Sequence, residues 1–174
     1  MKVDVISARI AVGRSVNKQY KINVGDLNME TVINFMKLNY NAKEPVCGSI
    51  DAAGHDLSAA IDKPVMIAPH QTVSIPTGIA IELPQNTFGG IYARSGIARK
   101  EGLAPANKVG IIDSDYRGEV IVALHNHSDE YRIVEPGQRI AQLIIQPYIR
   151  AKYNAVDALS DTERGAGGFG SSGK

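Results

Sequence analysis

At 174 residues, with 44% hydrophobic and 21% charged side chains, the chain has the size and balance of one globular domain able to bury a core. A net charge of +1 supplies no electrostatic basis for binding nucleic acid or a membrane surface, and a single cysteine, Cys47, excludes an internal disulfide and a cysteine zinc site. The lone thiol, an N-terminus without a signal-like apolar segment and apolar runs only a few residues long predict a soluble, intracellular (cytoplasmic) protein. Trp is absent while Val, Ile and Gly are plentiful, which favours short strands and turns over helices.

In chain order, Lys2–Ile10 alternates apolar and polar residues and reads as a strand. Residues 11–49 break that rhythm. Within them Asn28 is placed to cap a helix running to about Tyr40, because Met29, Val32, Ile33 and Met36 fall at i, i+3, i+4 and i+7. From Pro64 onward the strand signals come at short intervals: Val65–Ala68, Gln71–Ile75, Gly78–Leu83, Gly89–Ala93, Lys108–Ile112, Glu119–His125, Tyr131–Val134 and Arg139–Gln146. Pro, Gly and Asn punctuate the gaps, and a short helix or turn fits between Gly96 and Gly102. Such spacing predicts an all-β antiparallel sandwich or barrel. After Arg164 the glycines at 165, 167, 168 and 170 forbid a packed element and predict a flexible end, into which Phe169 brings an unexpected large apolar ring.

The centre of interest is Asn107–Val120. Two β-rich runs, Lys108–Ile112 and Glu119–Leu124, flank Asp113-Ser114-Asp115-Tyr116-Arg117-Gly118, and the pattern reads as a hairpin that displays Asp113 and Tyr116 near its bend. Taken alone, Asp-Ser-Asp-Tyr is also ordinary turn chemistry. Elsewhere Arg94-Ser95-Gly96 offers a cation, a hydroxyl and a pliant backbone in succession, the ingredients of a phosphate cradle. Asp51–Leu57 sets carboxylates beside glycine, and Gln142 puts an amide inside an apolar strand. Cys47 has no accompanying His motif and is not a candidate nucleophile. His125 and His127 suggest no metal pair, since no third ligand is in view.

In this order, Ala52–Leu57, Arg94–Gly96, Gly110–Gly118, Arg139–Ile144 and Arg164–Gly173 closely resemble the five motifs of the trimeric dUTP pyrophosphatases (dUTPases). The resemblance covers roughly residues 50–173, together with the first strand. It implies a jelly-roll-like β-barrel over residues 1–163, with an extra helical insertion within 11–49, and a flexible lid over 164–174. It implies a homotrimer whose active sites lie between subunits, and hydrolysis of dUTP to dUMP and pyrophosphate with Mg²⁺. By this likeness Asp113 is the carboxylate that activates water against the α-phosphorus. Tyr116 packs on the sugar and excludes a 2′-hydroxyl. Asn107 and the backbone at Gly110, Ile111, Ile112 and Ile121 read uracil. Arg94, Ser95, Gly96 and Gln142 bind the triphosphate, joined from the lid by Arg164, Gly170, Ser171 and Ser172, while Phe169 stacks over the base. Asp56 holds Mg²⁺ through water, the ion resting mainly on phosphate oxygens.

The chain departs from the family pattern at three places. His55 replaces a more usual aromatic or aliphatic residue, Pro105 stiffens the approach to Asn107, and 11–49 is longer than the usual link, which makes it the place to look for a protein partner. A dCTP deaminase of the same superfamily would need a catalytic glutamate and typically an Arg-Ser-Ser run, against which Arg94-Ser95-Gly96 and Asp113 argue. A non-catalytic trimeric β module acting as a regulator would tolerate loss of the tail motif, yet Arg164–Gly173 is intact.

Overall fold

In a computed structural model of the chain, residues 31–168 are described. The predicted strand Lys2–Ile10, the start of the predicted helix and the lid residues Phe169, Gly170, Ser171 and Ser172 lie outside them. Twelve strands and one helix follow in the order β1 (Asn34–Lys37), β2 (Val46–Cys47), β3 (His55–Ser58), β4 (Val65–Ile67), β5 (Thr72–Pro76), β6 (Ile79–Glu82), β7 (Thr87–Ala93), α1 (Ser95–Glu101), β8 (Leu103–Pro105), β9 (Gly110–Ile112), β10 (Ile121–Asn126), β11 (Arg132–Val134) and β12 (Arg139–Pro147). All strand pairs are antiparallel. They form a five-stranded sheet, β2-β3-β12-β7-β9, a three-stranded sheet, β5-β10-β8, and the pairs β1-β6 and β4-β11, an all-β, jelly-roll-like arrangement as expected.

Period-2 alternation decides which residues face inward. On β10, Val122, Leu124 and Asn126 are buried while Ile121, Ala123 and His125 face outward. Leu57, Ile67, Ile75, Ile79, Leu103, Val120, Val134 and Ile140 complete a core in which each is almost wholly removed from water. At roughly 1.5–3 kcal/mol per buried aliphatic side chain, these residues dominate the favourable side of folding. Asn126 is, beside Thr77, a polar exception among the described residues. Its Nδ2 donates to the carbonyls of Ile67 (3.1 Å), Ala68 (3.2 Å) and Glu130 (2.7 Å), and its Oδ1 accepts from Ser128 N and Oγ, so burial leaves neither end of the amide unpaired.

Two expectations are corrected here. The predicted helix through Tyr40 is not formed over its described part: residues 34–37 are strand β1, in register with β6 from Asn34↔Glu82 to Lys37↔Ile79. The i, i+3, i+4, i+7 spacing was a coincidence of apolar residues. Thr31, Val32 and Ile33 are β-branched, and pairing with a buried strand outweighs a weak helical propensity. The predicted hairpin also fails. β9 pairs with β7, and β10 pairs with β5 and β8, so Asp113–Val120 is a crossover between two sheets. The exit of the crossover is claimed by the segment before β6. Val120 N donates to Ile79 O (2.8 Å), Thr77 Oγ1 donates to Val120 O, and Gly78 N donates to Glu119 Oε1 (2.7 Å).

The short helix α1 is where the glycine punctuation placed it. Gly102 ends it at φ +68°, a left-handed cap that a side chain would strain, and its N–H returns to Ile97 O. Pro105, a point of departure from the family, sits at the end of β8, the edge strand of its sheet, where its missing N–H is tolerated.

Candidate active site

A cleft of about 320 Å³ gathers Gly48, Ala52, Ala53, Gly54, Asp56, Arg94, Ser95, Gly96, Arg139, Gln142 and Ile144. Three of the sequence segments singled out above meet in it because β3 and β7 both pair with β12: Gln142 lies opposite Asp56 on one side and Tyr92 on the other. At its centre is a carboxylate shared by two guanidiniums. Arg94 Nε donates to Asp56 Oδ1 at 2.6 Å, and Arg139 Nη1 donates to Oδ2 at 2.9 Å. The Asp56 and Arg94 side chains are only 12% and 23% exposed, so the bond between them is shielded from water, whereas Arg139 stays half in solvent. Two cations on one anion leave the cleft with a surplus positive charge. Arg94 Nη1 donates to Arg139 O at 3.2 Å, so the free edge of its guanidinium is Nη2.

Around this centre the neutral donors are arranged by close packing. Gln142 Nε2 donates one hydrogen to Ala93 O at 2.9 Å and keeps its second. Gly54 makes room for that amide: a Cβ there would stand 2.5 Å from Gln142 Oε1. Gly54→Ala is therefore expected to lower the melting temperature only slightly, because the amide end of Gln142 can swing away although its Cβ, 3.3 Å from the added methyl, must also give a little, and to weaken binding of inorganic triphosphate several-fold by calorimetry. Ser95 and Gly96 open the first turn of α1, where backbone N–H groups have no partner within the helix.

Arg139 was read only as the first residue of its motif, with no role of its own. Its partner Asp56 is 83 residues away in sequence, so no local signal announces the pair, and an irregularity in the β12–β3 register between Arg139 and Ala141 re-aims it.

The other predicted residues form a second group elsewhere on the chain. Asn107 lies over Gly110, whose missing Cβ would be 3.3 Å from Asn107 Nδ2 and 3.2 Å from Ile91 Cβ. Between them Lys108 adopts φ +64°, a left-handed conformation costing a lysine on the order of 1–2 kcal/mol, and Val109 N closes onto Asn107 O at 2.7 Å. Ile111 and Asp113 are exposed and Ile112 is half-buried, and Tyr116 N donates to Asp113 O at 3.1 Å to tighten the turn. The Tyr116 ring is packed against Gly118, and its hydroxyl donates to Glu119 O at 3.1 Å. Ile121 begins β10 in the other sheet, paired with Pro76.

The two groups do not meet within one chain. Ile112 is opposite Gly89 on β7 and Gly110 opposite Ile91, so Asp113 stands beyond the Gly89 end of that strand while Arg94 stands beyond the other. Six residues of extended chain separate them, about 20 Å at the rise of a strand, more than two side chains can bridge. Asp113, Tyr116 and Asn107 accordingly do not line the cleft. Arg164 is farther along, in an exposed, turn-containing arm, where its Nε donates to Gly167 O at 2.7 Å.

Among the described residues no group of three or more His, Cys, Asp or Glu side chains is placed to hold a metal, and Asp56 already has an arginine on each oxygen. The donor set suits an ion carried on ligand oxygens with the protein in its outer shell, and does not suit an all-protein cage. No helix among the described residues is long and apolar enough to cross a membrane. A second concavity, lined by Asn39, Tyr40, Asp62 and Lys63 among others, holds none of the predicted site residues. There the Tyr40 hydroxyl, donating to Asp62 Oδ1 at 2.6 Å, and then the Asn41 amide hold that carboxyl below its ordinary range.

With the geometry in place, known proteins can be set beside it. A family model described as dUTPase matches residues 40–173. A deoxyuridine 5'-triphosphate nucleotidohydrolase of Desulfitobacterium hafniense (strain Y51) is 46% identical over 147 residues, which is 84% of this chain and 97% of that protein. One from Sodalis glossinidius (strain morsitans) is 42% identical over 131 residues, 75% of this chain and 87% of its own. Among solved structures, the Staphylococcus bacteriophage 80alpha dUTPase with dUPNHPP superposes with a TM-score of 0.76 at 27% identity, covering 83% of this chain and 100% of that one. A dUTPase of phage phi11 of S. aureus, described with a structural Mg(II) ion, shares the fold at a TM-score of 0.69 and 21% identity, over 75% of this chain and 100% of that one. A model matched over most of the length and relatives aligned along most of theirs lead to one conclusion: the chain belongs to the dUTPase family.

Proposed function

We propose that the protein is a dUTP diphosphatase that hydrolyses dUTP to dUMP and pyrophosphate and so keeps uracil out of DNA. The observation that carries this is the division of labour on the chain. An anion-seeking cleft at one end of β7 and, at the other, a turn that exposes the Asp113 carboxylate beside Tyr116 support the reading of two halves of a nucleotide site.

Asn107 and the backbone at Gly110, Ile111, Ile112 and Ile121 read the uracil edge. Each buried polar group that a wrong base leaves unmatched costs on the order of 1–3 kcal/mol, which is how a fixed slot rejects cytosine. Tyr116, locked against Gly118, closes the space a 2′-hydroxyl would need. Arg94, Ser95, Gly96 and Gln142 grip the triphosphate, Arg139 adds charge beside them, and Arg164, Gly170, Ser171 and Ser172 of the tail close over it while Phe169 covers the base. Asp113 takes a proton from a water whose oxygen bonds to the α-phosphorus. The bond from that phosphorus to the α–β bridging oxygen breaks, pyrophosphate leaves with the electron pair, and the proton passes on to solvent. Asp56 would help hold Mg²⁺ through water, and the ion, carried on the phosphate oxygens, would supply neutralising charge.

Because the halves are about 20 Å apart on one chain, the complete site draws Asp113 and the phosphate cleft from different copies, in a homotrimer. Mixing two inactive variants tests this. Asp113→Asn chains and Arg94→Ala chains, refolded together, are expected to regain activity, since an intact Asp113 from one can face an intact Arg94 from the other. No recovery in mixtures shown to co-assemble would overturn the shared site. Incubating the wild-type protein with each deoxynucleoside triphosphate and Mg²⁺ tests the reaction itself: pyrophosphate from dUTP alone supports it, and ammonia from dCTP would replace it with deamination.

Removal of 164–174 is expected to abolish turnover and leave the urea midpoint of the body unchanged, because its described residues, 164–168, take no part in the hydrophobic core. A truncated protein with normal turnover would remove the lid from the account.

A further inference from the structure

The crossover that carries Asp113 is held in shape by one side chain to which no part has yet been given. Arg117 Nη1 donates to the carbonyls of Ser114 at 2.8 Å and Tyr116 at 3.0 Å. Its other terminal nitrogen stands 3.5 Å from Glu82 Oε1, at the end of β6. The second oxygen of Glu82 accepts from Asn34 Nδ2 on β1 at 3.0 Å. A chain of polar contacts thus runs from the first described strand, through the edge of the neighbouring one, into the turn closed by Tyr116 N and Asp113 O.

We propose that Arg117 is a positioning residue for Asp113, and that Glu82 in turn aims Arg117; this rests on the reading of Asp113 as the base in dUTP hydrolysis. The physical case begins with the geometry. Two backbone carbonyls and a carboxylate approach from different directions, and a planar guanidinium presents fixed donors to all three, which a single ammonium on a flexible stem does not. The Arg117 and Glu82 side chains are 53% and 55% exposed, so their ion pair adds little to overall stability. What the contacts restrict is local: with Ser114 O and Tyr116 O held, the peptide planes after those residues are pinned, which restrains the backbone from which Asp113 projects. Misplacing a reacting group by about 1 Å costs up to about a hundredfold in rate. Tyr116 is fixed separately, by its own hydroxyl bond to Glu119 O and by its packing on Gly118. Arg117 therefore governs the chemical step more than nucleotide binding.

The test is a set of four variants of the full chain: Arg117→Ala, Arg117→Lys, Glu82→Ala and the Arg117→Ala/Glu82→Ala double. Arg117→Ala is expected to lower kcat for dUTP by about ten- to a hundredfold, with KM and the preference for dUTP over UTP little changed and the urea midpoint unmoved. Arg117→Lys should recover little of the loss, whereas free guanidinium at low concentration should recover part of it in Arg117→Ala. Glu82→Ala should lower kcat by a smaller factor, and the double variant should fall no further than Arg117→Ala alone, because Glu82 acts through Arg117. Wild-type kcat in Arg117→Ala, a loss carried by KM, or multiplying effects in the double would each overturn the proposal. Amide exchange at Tyr116 reads the same latch without turnover. Faster exchange in Arg117→Ala supports it, unchanged exchange overturns it, and faster exchange in a protein silent on dUTP would sink the assigned reaction while upholding the latch.

Discussion

Asp113→Asn is expected to reduce dUTP turnover by about two to four orders of magnitude while leaving assembly and nucleotide affinity intact. The substitution is nearly isosteric, and the turn around it is made by backbone and by other side chains: Tyr116 N to Asp113 O, Arg117 to two carbonyls, Tyr116 hydroxyl to Glu119 O. An amide in place of the carboxylate keeps that shape and loses only the capacity to accept a proton from water. Pyrophosphate release measures the first effect, and calorimetry with a non-hydrolysable dUTP analogue measures the second. Turnover within a few-fold of wild type would remove Asp113 from its role; lost affinity would make it a binding group instead.

The largest stability effect is expected at Asn126. Asn126→Leu keeps the branching of the side chain, with bulkier methyl ends, but strips partners from the carbonyls of Ile67, Ala68 and Glu130 and from Ser128 N, all tied to that one buried amide. An unsatisfied buried group costs about 1–3 kcal/mol, so a loss on the order of 3–4 kcal/mol follows if two of these groups stay unpaired. A lowered urea midpoint with an unchanged slope is the expected result. Asn126→Asp should be at least as damaging, since it sets a carboxylate against three carbonyl oxygens. A loss below about 1 kcal/mol would mean that water reaches the site and replaces the amide.

How much of this was legible before any coordinates depended on whether the deciding contact was local. The inward face of β10 followed from alternation, and α1 from the glycines near its ends, because both signals lie within a few residues, whereas β6 buries Ile79, Ala80 and Ile81 alike. β3 was hidden: His55–Ser58 sits in a stretch rich in small and acidic residues that reads as a loop, and it is a strand because β12 pairs with it from across the domain. β1 was mistaken for helix for the same kind of reason, its partner β6 being more than forty residues away. In the site, Arg94, Ser95, Gly96, Gln142 and Asp56 were named and do come together, whereas the hairpin expected around Asp113 proved to be a crossover. Alternation tells a strand which face to bury; it does not tell it which neighbour to choose. Arg117 and Arg139 were visible as motif letters, yet their work depends on Glu82 and Asp56, which only the fold brings within reach.

Strand β7 has a consequence beyond joining the two half-sites. It is hydrogen-bonded to β12 along its length and to β9 over Gly89–Ile91, which resists any change in its span. It serves the molecule as a ruler. The span between its ends is set as the chain folds, and under the proposed shared site a second copy that completes it must conform to that length. Adjustment during a reaction cycle is left to whatever lies outside the sheet.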